Sequence, residues 1–174
     1  WIDRMRSNGG IMPDNIGPSG KIGEYRDGVW WGGWYGWDCY KGMNIGLTSI
    51  TIAAQCAQLL SGDAGYLEIL RTQMEHIVGR TQKKDSGQVL YSWRRNNEEW
   101  FDYKEMPPKW LPHLYHASMA TEDYQLVDTV RHGDVERDWG ETEKINAKNG
   151  GDFAFFHYHD GKFSSWPNAI MKSE

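Results

Sequence analysis

From Asn44 to Leu60 the chain runs through an almost unbroken series of apolar or small residues, with Asn44 at one end and Ser61-Gly62 at the other. Asn can accept an amide N–H at a helix start and Gly tolerates the left-handed backbone at a helix end, so the series predicts one helix. A helix apolar on most faces belongs inside its domain. After Asp63 the texture changes: Tyr66, Leu67, Ile69, Leu70, Met74, Ile77 and Val78 recur at steps of three and four, with Glu68, Arg71, Gln73 and Glu75 between them. That spacing predicts an amphipathic helix capped by Asp63, and the two helices form an αα-hairpin with a tight turn. Leu111 to Met119 predicts a short, mostly apolar helix, and Thr121-Glu122-Asp123 caps another over Tyr124 to Arg131. Trp1 to Arg6 reads as the last turns of a helix stopped by Asn8-Gly9-Gly10.

Between these helices lie long connections. Residues 7 to 43 are dense in Gly and hold two turn sequences, Met12-Pro13-Asp14-Asn15 and Gly17-Pro18-Ser19-Gly20. Ile22 to Tyr25 and Val29 to Trp31 flank Arg26-Asp27-Gly28, which predicts a β-hairpin. Residues 81 to 110 form a second polar and aromatic connection with one strand-like piece, Gln88 to Trp93, broken by Pro107-Pro108. In the tail, Val135 to Trp139 reads as helical, Asn149 to Asp152 as a turn, and Phe153 to Tyr158 with Gly161 to Phe163 as a strand pair or a short helix and loop. Inner and outer helices alternating between tight turns and long loops are the plan of an (α/α) toroid. The expected fold is therefore mainly α: residues 1–174 as part of one (α/α) toroid domain, incomplete at both ends, because a ring needs more hairpins than this chain holds. Long aromatic loops and short β-hairpins complete it.

Composition sharpens the loops. Trp30 to Asn44 reads WWGGWYGWDCYKGMN, a mixture unsuited to a helix interior, where Gly costs about 1 kcal/mol, or to a strand. Such indoles either fill a core beneath a loop or stand as flat platforms for sugar faces, and ten Trp with nine Tyr favour carbohydrate handling. A net charge of −5 with both signs scattered argues against a nucleic-acid groove, and no stretch is long and apolar enough for a membrane span. Cys39 and Cys56 are too few for a disulfide framework or a zinc site and read as two free thiols.

Sugar cleavage makes one of two demands. Hydrolysis needs two carboxyl groups across the scissile bond, and Glu24 or Asp38 are candidates. Elimination beside a uronate needs a base to take the C5 proton and a cation to hold the carboxylate. The loops supply His, Tyr, Arg and Asn more generously than acids, which tilts the reading to elimination. His113, Tyr35 and His116 are the candidate catalytic groups; Arg94, Arg95 and Asn44 are candidates for the carboxylate and hydroxyls, and Trp30, Trp34 and Trp37 for the sugar platforms. Consecutive strand residues point to opposite faces, so only one of Arg94 and Arg95 is expected to reach a substrate. His113 and His116 share a helix face, which serves helix packing equally well, and no third ligand accompanies them. No metal or cofactor is expected.

The runs NGGIMPDNIGPSGKIGEY and DGVWWGGWYGW, the Asn44 to Leu60 helix, GDAGYLEILR and PHLYHASMATED together resemble the α/α-toroid polysaccharide lyases of bacteria, those that act as L-rhamnose-α-1,4-D-glucuronate lyases. The resemblance covers most of residues 1 to 140. It implies β-elimination at a uronic acid by an exported enzyme, periplasmic or secreted, whose partners are a polysaccharide or oligosaccharide and the remainder of the parent chain. The alternatives are a toroidal glycoside hydrolase and a non-catalytic glycan-binding segment.

Overall fold

The computed structural model describes residues 1–33, 36–39, 42–106 and 110–136, the side chains of 42–45 excepted. Trp34, Tyr35 and the tail elements expected from residue 137 on lie outside the described residues. Helix α1 (Ile2–Ser7) buries Met5 and ends at Asn8, where Gly9 and Gly10 take the positive φ that closes the turn. Helix α2 (Gly42–Ser61) starts two residues before Asn44, which therefore lies in its first turn and not at its cap. Its buried positions Leu47, Ile50, Thr51 and Ala54 follow the three-four spacing of a single helix face. The expectation that α2 is enclosed on most sides does not hold: Ile52, Leu59 and Leu60 are exposed.

Asp63 then accepts the Gly65 amide and caps a 3-10 turn, Ala64–Leu67, which feeds α3 (Glu68–Val78). Ile69, Leu70, Met74 and Ile77 make the buried stripe of α3. Gln73 is buried among them because both ends of its amide are used: it accepts from Met12 N at 2.9 Å and donates to Gly10 O at 2.8 Å. The second helix pair is α4 (Trp110–Ser118) and α5 (Thr121–Gly133). Pro112 is tolerated because it sits in the first turn of α4, where its missing N–H leaves no bond unmade. Helix α4 runs parallel to α2: Trp110 Nε1 donates to Thr48 Oγ1, Gln55 to the His113 carbonyl and Gln58 to the Ala117 carbonyl. Asp123 does not cap α5. It is fully buried and receives both nitrogens of the Arg71 fork, which fixes α5 to α3.

Residues 81 to 104 hold more than the one expected strand, Gln88 to Trp93, which is present over Val89–Arg95. Strands β1 (Thr81–Lys83), β2 (Val89–Arg95) and β3 (Trp100–Lys104) form an antiparallel sheet in the order β1-β2-β3. β2 pairs with β1 over Val89–Tyr91 and with β3 over Tyr91–Arg95, Tyr91 and Ser92 enter the core, and β2 packs against α2 and α3. The (α/α) toroid expectation is thereby corrected: sheet and helix pairs share one core, and the described residues make a mixed α and β fold. The expected hairpin about Arg26-Asp27-Gly28 is also absent, since Ile22 pairs with Ile16 in an isolated bridge and not with the Val29 side. Tyr25, Asp27 and Gly28 all take positive φ there and coil the segment into successive turns. Among the described residues no helix is long and apolar enough to cross a membrane.

Candidate functional site

Asp14 and Asn15 organise the aromatic loop. Both backbone amides donate to the Trp30 carbonyl, at 2.9 and 3.1 Å. The Asp14 carboxylate takes the Gly32 and Trp37 amides on Oδ2, at 3.0 and 2.8 Å, and the Asn15 amide donates to the Trp31 and Gly32 carbonyls. Burial pushes the Asp14 carboxyl up to about 6, against the pull of those two amides. A loop rich in Gly thus acquires one conformation, and that conformation carries Trp30 and Trp37 to the sheet.

The indole of Trp100, at the start of β3, is where several polar and aromatic groups meet. Trp37 approaches it edge-on with centroids 5.7 Å apart, and the His76 ring stacks near it at 6.3 Å with an interplanar angle of 25°. The Arg80 guanidinium lies 5.3 Å from the centroid of Trp100 and that of Arg95 lies 5.7 Å from it; Arg95 is also 5.8 Å from the ring of Trp30. These positions follow from local structure. Arg95 is the register partner of Trp100 across β2 and β3, while His76 and Arg80 sit one turn apart where α3 ends and β1 begins. Trp30 completes the group by donating its Nε1 to Asn97 in the β2–β3 turn at 3.2 Å.

The electrostatics of this cluster are cationic. Neither Arg80 nor Arg95 forms an ion pair with a carboxylate among the described residues. Arg95 gives its terminal nitrogens to the carbonyls of Asn96, Asn97 and Glu99, which satisfies donors without neutralising charge, and its Nε is buried with no partner among the described residues. Burial, then the nearby Arg80, draw the Arg95 guanidinium below its ordinary value. His76 is drawn down as well, first by burial and then by the charges of Arg80 and Arg95. Arg80 Nη1 lies 3.1 Å from His76 Nδ1, and an arginine can only donate, so Nδ1 is the accepting nitrogen and the proton sits on Nε2, toward the Gly9 backbone. The result is a neutral imidazole flanked by two guanidinium groups on half-buried indoles.

The structure joins some of the sequence candidates and separates others. Trp30 and Arg95 belong to the cluster. Trp37 touches it but is buried, its Nε1 donating to the Met12 carbonyl, so it supports the site and offers no open platform. Arg94 points away from Arg95, stacks 4.7 Å over its register partner Phe101 and ties the loop down through the Asp38 carbonyl. Glu24 is committed to Ser19, through its amide and its hydroxyl. His113 and His116 are exposed on α4, and His116 lines a hollow with Gln58, Leu59 and Gly62 at the C-terminal end of α2. The 20 residues of α2 span about 30 Å, which places His116 far from the aromatic loop. Tyr35 and Trp34 lie outside the described residues, as does the Asn44 side chain. His76, Arg80 and Trp100 were not among the candidates: each stands alone in the sequence, and only the pairing of β2 with β3 and the end of α3 bring them together. Cys39 and Cys56 are both free, and no three metal-ligating side chains converge among the described residues.

A mixed α and β domain with an aromatic, cationic surface cluster is the class that fold and site define. The chain belongs to the family described as "Domain of unknown function (DUF8034)", whose model matches residues 1–97 and 80–174. No curated protein and no solved structure matches it.

Proposed function

We propose that this chain is a polysaccharide lyase domain that cleaves a uronate-containing glycan of the rhamnosyl-glucuronate type by β-elimination, at the cluster around Trp100. The observation that carries the reading is the pair of guanidinium groups, Arg80 and Arg95, set over indoles with no carboxylate partner among the described residues and with a neutral imidazole between α3 and the sheet. A sugar ring stacks on Trp30 or Trp100, and its carboxylate meets Arg80 and Arg95. Once Arg80 turns to the substrate it releases His76 Nδ1, which is then free to take the C5 proton. The C5–H electron pair forms the C4–C5 double bond, the C4–O bond breaks, and the departing oxygen takes a proton from water. The cations stabilise the charge that spreads into the carboxylate as the proton leaves. His76 replaces His113, His116 and Tyr35 as the base in this reading, and the setting for such polymers is periplasmic or secreted.

The test is the ultraviolet absorbance of an unsaturated uronate when the full chain is incubated with glucuronate-containing plant glycans. His76→Gln is expected to abolish it while leaving glycan affinity within about twofold; products that gain the mass of water and no chromophore would mean hydrolysis. A second reading, binding without catalysis, is favoured by one observation, that His76 Nδ1, the nitrogen that would take the proton, is already held by Arg80. It predicts saturable affinity with no turnover on any uronate polymer.

A further inference from the structure

A second feature lies under the aromatic loop, on the α2 side of Trp37. We propose that the hollow there is a binding site for a small organic cation, a primary amine carrying a short apolar or aromatic body, held by the Asp14 carboxylate. The hollow measures about 400 Å³ and is walled by Trp1, Met12, Trp37, Ile50 and Ile69, with Asp14 as the one charged side chain among its described lining residues. That volume and that ratio of apolar wall to polar group are those of a small-ligand pocket.

The carboxylate is built into place and half satisfied. Its Oδ2 takes the Gly32 and Trp37 amides, whereas Oδ1 has no hydrogen-bond partner among the described residues. Gly36 leaves it the room: a Cβ there would stand 2.3 Å from Oδ2. Asp14 makes no ion pair among the described residues; of the charged groups that face it, Arg26 acts at a distance and Asp38 opposes ionisation. Ionising a carboxyl so placed is costly, and the cost falls away when a cation is delivered to Oδ1. An ammonium group supplies that cation, and the apolar body covers Met12, Ile50 and Ile69, whose surfaces face the hollow. The larger hollow beside it, about 560 Å³ along α1, shares Trp1, Ala53 and Ile69, but its one cation, Arg6, pairs with Glu68 and lies beside Asp3, and Asp63 accepts the Gly65 amide.

Titration of the full chain with benzylamine, followed by tryptophan fluorescence and by calorimetry at pH 7.5, tests this. Saturable binding at millimolar concentration or below is expected, weakened at least tenfold by Asp14→Asn, with benzyl alcohol and benzoate failing to compete. Asn keeps an oxygen for the two amides, so the loop should stay folded. Ala53→Phe, which fills the hollow and leaves Asp14 untouched, should weaken binding to a similar degree. Absence of saturable binding, equal affinity in Asp14→Asn, or equal affinity for benzyl alcohol overturns the proposal. None of these outcomes depends on cleavage of a glycan.

Discussion

The Arg71 fork closes on Asp123 with two parallel bonds, Nε to Oδ1 at 2.6 Å and Nη2 to Oδ2 at 2.7 Å, and the carboxylate it grips is fully buried. This is the polar tie between α3 and α5. Asp123→Ala should lower stability by about 3 kcal/mol, because Arg71 is left desolvated and unpaired. The double substitution Arg71→Met, Asp123→Leu should recover most of that loss. Urea denaturation of the three variants measures both effects; a loss below 1 kcal/mol in Asp123→Ala would show that the pair is not holding the two helices.

Tyr91 carries the opposite expectation. Its hydroxyl is buried with no hydrogen-bond partner among the described residues, beside Gly133, and burial pushes it up to about 12. Tyr91→Phe removes an unsatisfied polar group and keeps the ring, so stability should stay level or rise by about 1 kcal/mol. Gly133→Ala should be destabilising, because the new methyl would meet the Tyr91 hydroxyl and Val89 at 3.0 Å. Thermal unfolding of both variants checks the pair of signs.

Asp14 and His76 give the chain opposing pH dependences. Asp14 is raised from 3.8 to about 6 by burial. Between those values the unfolded chain has lost the proton and the folded chain keeps it, so stability falls as pH rises through this window. Asp14→Asn cannot ionise and should be more stable than the parent by about 2 kcal/mol at pH 7, at about 1.4 kcal/mol per pKa unit reduced for partial exposure, with the gap closing below pH 4. His76 is lowered from 6.5, so its contribution is complete above that value and is lost as pH falls beneath it. His76→Gln should therefore remove the acid-side loss. Urea midpoints between pH 4 and pH 8 resolve the two; parallel curves for all three proteins would contradict both assignments.

Much of the helical frame is legible in the chain because its signals are local. The Asp63 cap, the Gly9-Gly10 stop and the three-four spacing of α3 each depend on residues a few positions apart. The sheet is not legible in this way. Thr81–Lys83 and Trp100–Lys104 are short, carry no clean alternation, and Asp102 takes positive φ within β3, so nothing marks them as strands until β2 lies between them. The site fails for the same reason: Trp100 meets His76 through a strand register and a helix end, both long-range. The two arginines are a partial success. Arg94 and Arg95 do point to opposite faces as period-two geometry requires, and Arg95 is the one that reaches the Trp30 and Trp100 rings. Asp123, a short acid after Thr121, has the local pattern of a cap, while the partner that buries it, Arg71, lies 52 residues away.

We propose that Arg80 and Arg95 beside Trp100 recognise a carboxylate on a sugar, and calorimetric titration of the full chain with a glucuronate-containing oligosaccharide and with its neutral glucose counterpart decides it. The uronate should bind about tenfold more tightly or better, equivalent to about 1.4 kcal/mol; Arg80→Gln should remove the preference, while Trp100→Ala should weaken both ligands. Equal affinities for the two sugars, or a preference that survives Arg80→Gln unchanged, would overturn the proposal.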